Sequence, residues 1–203
     1  MRVIPVGRRA LLLELADTDA AQAWRAELER RRAAGELVAD EVVPGERTVL
    51  LDGVADPAAA AVRLLRWPPP TPVDPGAGPE VEVPTVFDGT DLPSVADHWR
   101  VAPAEVVARL TGVRLRVAFC GFAPGFGYLT GLPAEWAVPR LATPRPSVPA
   151  GSVALAGGYA GIYPTASPGG WRLVGRTSLS LFDVHRDPPA RLAPGTRVRL
   201  VRA

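Results

Sequence analysis

The chain has 203 residues, 47% of them hydrophobic and 22% charged, with a net charge of +2 and an isoelectric point near 9.2. That balance belongs to globular proteins rather than disordered ones, and the length suits one large domain or two small ones. No apolar run reaches the roughly 18 residues that a membrane helix needs, and the N-terminus lacks the charged-then-apolar pattern of a secretory leader. Both point to the cytoplasm. All 23 Lys/Arg positions are arginine, so the chain cannot supply a P-loop, Schiff-base or biotinyl lysine. Its single cysteine, Cys120, excludes an internal disulfide and fits a reducing compartment.

Residues 1–67 read as a small α+β domain. Short β-rich runs at 3–6 and 10–15 flank Gly7-Arg8-Arg9. A helix follows, capped by Asp17 or Thr18, with Ala21, Trp24 and Leu28 spaced three and four apart on its apolar face. Glu27 and Arg31 form an i,i+4 pair on the wet face. Strands are expected at 37–43 and 48–51, then a second helix from Asp56-Pro57 to about Arg66, with proline in its favoured first turn. Residues 68–79 form a proline-rich, extended linker, and the second domain spans 80–203.

In that second domain the pattern predicts strands at 81–86, 115–119, 152–156, 171–174, 178–182 and 197–201, with short helices at 92–99 and 103–110. Many short strands bounded by glycine and proline suggest a closed barrel rather than an open sheet. The helix pair offers only Arg109 beside Glu105 where a DNA-reading helix needs several base- or phosphate-reaching side chains. Nucleic acid is therefore not an expected partner. His98 and His185 are the only histidines, and with no Cys, Asp or Glu cluster around them no metal site is expected. Cys120 sits at an apolar strand end and reads as a small buried hydrophobe.

Between Phe119 and Arg176 glycine and proline recur at a density that no ordinary core requires. The run Gly121-Phe122-Ala123-Pro124-Gly125-Phe126-Gly127-Tyr128 is neither a Rossmann fingerprint nor a Walker loop. It would touch a ligand through backbone N–H groups and the faces of Phe122, Phe126 and Tyr128, or else its phenylalanines plug the barrel. Arg140, Arg145 and Arg176 are each held in proline or glycine context, so that a guanidinium can be aimed at a carboxylate or phosphate. The same three residues also suit ordinary ion pairs.

The Gly-Phe-Ala-Pro-Gly-Phe run at 121–126, Pro139-Arg140, Thr143-Pro144-Arg145, residues 148–153, Ser167 to Trp171 and Gly175-Arg176-Thr177 carry a resemblance. So does the tail Leu181-Phe182-Asp183 with Arg186-Asp187-Pro188-Pro189. In these strings the chain resembles the family of the 5-oxoprolinase B subunit, also called allophanate hydrolase subunit 1 or the Kip-inhibitor family. The match covers the C-terminal two-thirds tightly and the first 70 or so residues only by length and element order. It implies a cyclophilin-like barrel for residues 80–203. It also implies work with two companions, an A subunit and a C subunit, the latter itself like allophanate hydrolase subunit 2. Together these open 5-oxo-L-proline to L-glutamate at the expense of ATP, bound by this chain or by one of its companions. Other members imply two alternatives: a regulator that blocks a sensor histidine kinase, or a carboxyltransferase-type component acting on a urea-derived amide.

This chain departs from the family at Tyr159, where members commonly carry glutamine, and near Val83 to Gly89. His98 stands where members often have histidine. The ligand-binding set expected from residues and resemblance together is Phe122, Pro124, Gly125, Phe126, Tyr128, Arg140, Arg145, Tyr159 and Arg176. No catalytic residue is assigned.

Overall fold

The computed structural model describes residues 1–74 and 76–203; Pro75, inside the expected linker, lies outside the described residues. The chain divides into two compact units, Met1–Ala77 and Gly78–Ala203. Among the described residues no helix is long and apolar enough to cross a membrane.

The first unit holds strands β1 (Arg2–Val6) and β2 (Ala10–Glu14), helix α1 (Thr18–Ala33), strands β3 (Glu41–Pro44) and β4 (Thr48–Asp52), and helix α2 (Pro57–Arg66). Its antiparallel sheet has the order β1-β2-β4-β3. Helix α1 starts where an acidic cap allows it: the Asp17 carboxylate accepts from Ala20 N at 2.8 Å. Asp56 does the same for Ala59 N at 3.0 Å, with Pro57 in the first turn of α2. Each cap contributes about 1 kcal/mol. Trp24 and Leu28 of α1 pack with Leu11, Leu13, Val49 and Leu51 of the sheet in a single core. The alternation in the third strand begins later than its sequence suggests. Leu37 is buried as an anchor after α1, and the ladder starts at Glu41.

The second unit runs β5 (Glu80–Thr85), α3 (Leu92–Trp99), α4 (Pro103–Gly112), β6 (Leu115–Cys120) and β7 (Gly127–Thr130). After a 3-10 turn at Ala134–Trp136 come β8 (Arg145–Val148), β9 (Ser152–Ala156), β10 (Tyr159–Ile162), β11 (Ser167–Gly169), β12 (Arg172–Arg176) and β13 (Arg197–Arg202). Seven strands form one sheet in the order β12-β9-β10-β7-β6-β13-β5. The first and last of them approach each other at Val86 and Arg176, which exchange both backbone hydrogen bonds at 2.8 Å. That bridge closes the barrel. It needs Gly175, because a Cβ there would meet the Val86 carbonyl oxygen at 2.5 Å.

Strands β5 and β13 pair in parallel from Arg197↔Glu80 to Arg202↔Thr85, so the two ends of the unit are stitched together. Leu115, Val117, Leu129, Leu155, Ile162 and Leu200 fill the interior. Helices α3 and α4 bury Leu92, Val95, Trp99, Val106 and Leu110 in that same core. A separate two-stranded sheet, β8 with β11, stands beside the barrel.

The expected strand at 178–182 does not form. Its alternation reflects a loop anchored by buried Leu181, which accepts a backbone bond from Arg191 N, and only Phe182 makes an isolated bridge, to Ala190. Conversely β7, β8, β10 and β11 arise from stretches that read as glycine- and proline-rich loop.

Candidate functional site

Strand β7 leaves the glycine loop and brings Tyr128 onto the barrel, half-buried, with the Phe119 ring stacked behind it at 4.4 Å between centroids. Tyr159, at the head of β10, closes the same pile edge-on to both rings, at 5.8 Å from Phe119 and 5.9 Å from Tyr128. In front of this pile Phe126 is 2% exposed and meets Tyr128, Tyr163 and Trp171 edge to face, at 5.1, 5.4 and 5.5 Å. Aromatic pairs in these geometries contribute about 0.5–1.5 kcal/mol each beyond their buried area. The result is a stiff aromatic floor.

The loop that enters this floor is locked by its own backbone. Ala123 N donates to Gly121 O at 2.8 Å, Phe126 N to Ala123 O at 2.9 Å, and Gly121 N to Phe126 O at 3.2 Å. Phe122 adopts a left-handed φ of 68° in that turn, yet its side chain stays 61% exposed. A strained, exposed aromatic on a rigid loop is a feature of binding sites rather than of cores. Pro124 is exposed at the tip, and Gly125, with φ 84°, is packed against Leu181 and Phe182.

A cavity of about 150 Å³ is lined by the rings of Phe122, Phe126, Tyr128, Tyr163 and Trp171 together with Arg140, Pro168, Gly169 and Gly170. The segment bearing Arg140 is pinned on both sides: Arg172 Nε donates to Pro139 O at 3.1 Å, and Leu141 N to Gly170 O at 2.7 Å. The Arg140 guanidinium lies 5.9 Å from the centre of the Trp171 ring and makes no ion pair among the described residues. Burial pushes the Tyr163 hydroxyl above its ordinary pKa, against the opposing pull of Arg140 and of the Trp171 backbone. The pocket therefore offers a Tyr163 hydroxyl that burial keeps neutral, ring faces and the Arg140 guanidinium.

The three arginines expected to take an anion have different partners in the structure, although Arg145 as well as Arg140 lies near enough to act on the Tyr163 hydroxyl. Only Arg140 reaches the cavity. Arg145 Nη2 lies 2.8 Å from both carboxylate oxygens of Asp91, and Arg176 pairs with Asp88 at 2.9 Å in the open. Of the expected set, Phe122, Phe126, Tyr128 and Arg140 line the cavity. Pro124, Gly125, Arg145, Tyr159 and Arg176 surround or support it.

Tyr163 and Trp171 belong to the pocket and were missing from the expected set. Their signal was present, in the strings Gly161-Ile162-Tyr163-Pro164 and Gly169-Gly170-Trp171, where an aromatic residue stands beside glycine or proline. The remaining candidates are structural. His98 Nε2 is 3.0 Å from Ala137 O. Cys120 donates its thiol to Leu192 O at 3.3 Å, and burial raises its pKa, so it is not poised as a thiolate.

The family model for the carboxyltransferase domain, subdomain C and D, matches residues 1–192. The chain is 44% identical over 167 residues to the 5-oxoprolinase B subunit of Escherichia coli O157:H7, covering 79% of this chain and 77% of that protein. It is 34% identical over 209 residues to the 5-oxoprolinase B subunit of Haemophilus influenzae, covering 99% of this chain and 97% of that one. Among solved structures, the protein TTHA0988 superposes with a TM-score of 0.77 at 34% identity. The match covers 96% of this chain, which spans only 40% of that longer protein. By the family model over residues 1–192 and by these relatives, the chain belongs to the 5-oxoprolinase B-subunit family, built on subdomains C and D of the carboxyltransferase domain.

Proposed function

We propose that this chain is the B subunit of a cytoplasmic, ATP-dependent 5-oxoprolinase, and that its aromatic pocket holds the substrate while partner subunits supply the chemistry. The observation that carries this reading is one guanidinium without an ion-pair partner among the described residues, Arg140, set over a pocket of ring faces. 5-Oxo-L-proline is a small, nearly flat lactam with one carboxylate. Ring faces suit the lactam, and an arginine fork suits the carboxylate.

The size of the cavity supports the division of labour. Pockets enclosing drug-sized ligands run from roughly 300 Å³ upward, so a space of about 150 Å³ suits the lactam and would not enclose ATP. The residues that line the pocket include no nucleophile–base pair; the side chains with polar atoms are Tyr128, Tyr163, Arg140 and the Trp171 indole. Amide hydrolysis driven by ATP then requires residues from elsewhere, which we assign to two companions, an A subunit and a C subunit like allophanate hydrolase subunit 2. The names of the relatives, which mark them as one subunit among several, support that assembly.

The test is glutamate formation from 5-oxo-L-proline and ATP by the purified chain alone and after addition of the partner subunits. Activity only in the mixture, abolished by omitting this chain, supports the reading. Robust turnover by the isolated chain overturns it. One second reading is a carboxyltransferase-type component acting on a urea-derived amide; the family model, which is of a carboxyltransferase domain, supports the first part of it. It would show as turnover of that amide, with carboxybiotin as the other reactant, and no glutamate from 5-oxoproline.

A further inference from the structure

Asp91 and Arg145 are 54 residues apart, yet they meet beside the wall of the pocket. Asp91 is 7% exposed at the start of α3, where its side chain caps no helix N–H. Instead it binds strand β12 in both directions. Its backbone N–H donates to Leu173 O at 2.9 Å, and its Oδ2 accepts from Leu173 N at 2.7 Å. Both carboxylate oxygens also accept from Arg145 Nη2 at 2.8 Å, while Arg145 Nη1 donates to Trp171 O at 3.4 Å. Arg145 opens β8 and pairs in register with Gly169 of β11. The one ion pair therefore touches the chain at 169, 171 and 173, and Gly169 and Trp171 line the pocket.

We infer that the Asp91–Arg145 pair is a positioning device: it fixes the Pro168–Trp171 wall against the Arg140 segment and so sets the affinity of the pocket for its anionic guest. The inference rests on the reading of this pocket as the substrate site. The alternative, that Arg145 itself receives the anion, conflicts with its geometry. Turning the guanidinium toward a guest would strip the charge partner from a buried carboxylate, and breaking such a pair by removing one member is strongly unfavourable. The wall it holds also carries Gly170 O, the acceptor for Leu141 N, so displacement would pass directly to the residue after Arg140. Misplacement of a binding group by an ångström can cost up to about 100-fold.

The experiment compares Arg145→Lys, Arg145→Ala and Asp91→Asn with the native chain. KM and kcat for 5-oxo-L-proline are measured in the assembled complex, and amide hydrogen exchange is followed across residues 167–173 in the chain alone. The expected result is a KM raised by about tenfold or more in Arg145→Ala, with kcat changed much less. Exchange should be faster at 167–173, Arg145→Lys should be intermediate, and added methylguanidinium should restore part of the Arg145→Ala loss. Lowered thermal stability with unchanged KM and unchanged local exchange would reduce the pair to a structural role and overturn the inference. A raised KM with native exchange at 167–173 would also overturn it, since Arg145 would then be acting on the guest directly. If the native complex does not turn over 5-oxoproline, the functional reading fails. The exchange comparison alone then decides the positioning claim: native protection at 167–173 in Arg145→Ala overturns it, and lost protection upholds it.

Discussion

The Tyr163 hydroxyl and the Cα of Gly169 approach so closely that a Cβ at residue 169 would overlap the phenolic oxygen. Tyr163 is 2% exposed, so its ring is packed over nearly all of its surface. Gly169→Ala should therefore destabilise the second unit by about 1–3 kcal/mol, the usual penalty for overpacking. It should also distort the pocket that both residues line. Thermal melting checks the first effect, and binding of 5-oxo-L-proline by the assembled complex checks the second. A native melting temperature would mean that the tyrosine yields without cost.

Tyr163 should ionise above the ordinary tyrosine range, because burial outweighs the opposing effects of Arg140, the Trp171 backbone and Arg145. A group whose folded pKa is raised contributes stability below the unfolded value of 10, and that contribution is lost as the pH rises through the folded value. Arg140 pulls this pKa down, so Arg140→Gln should move the titration further up. Ultraviolet difference titration of the native chain, Tyr163→Phe and Arg140→Gln reads the order directly. A Tyr163 titration unmoved by loss of Arg140 would show that the guanidinium does not face the hydroxyl.

In the first unit the Glu27 carboxyl is held at about 2, mainly by the hydrogen bond from Arg30 and then by that from Arg31, against an ordinary value of 4.5. Because the folded pKa is depressed, its contribution is complete above about 4.5 and disappears as the pH falls to about 2. Glu27→Gln should thus be less stable than the native chain near neutrality and indistinguishable from it near pH 2. Because Arg30, the stronger partner, is more than half exposed, the difference should be no more than about 1 kcal/mol. Paired acid unfolding curves provide the check.

In the stretch expected to link the domains, residues 68–74 and 76–79 carry no helix or strand. Elastase, which accepts Val73 and Ala77, should cut there before it attacks either unit, and should leave a stable fragment starting near Glu80. First cuts elsewhere would contradict this.

Much of the fold was legible because its periodicities are local. The caps at Asp17 and Asp56, the apolar face of α1, the short apolar runs of β6 and β9 and the alternation of β13 are all written within a few residues of each other. What escaped was structure whose cause lies far along the chain. Gly127–Thr130 and Tyr159–Ile162 are strands because β6 and β9 supply their ladders and the pair Ala160↔Leu129 joins the two hairpins, not because their glycines favour extension. Leu179 and Leu181 produced a false strand signal because they hold a loop onto the core, which also yields a period of two. The site followed the same rule. The rings of the glycine loop and Arg140 were found from local context. Arg145 and Arg176 carried the same local signature, but their carboxylates, Asp91 and Asp88, lie 54 and 88 residues away in sequence.

The most direct test is the Arg140→Gln substitution in the complex assembled with the partner subunits, read as kcat/KM for 5-oxo-L-proline. A charge-assisted hydrogen bond contributes roughly 1.5–3 kcal/mol, and about 1.4 kcal/mol is tenfold. A loss of about 10- to 100-fold is therefore expected, with complex assembly and melting temperature at native levels, since Arg140 is exposed and holds no core. Native kcat/KM in the substituted complex would contradict the claim that this pocket receives the substrate's carboxylate.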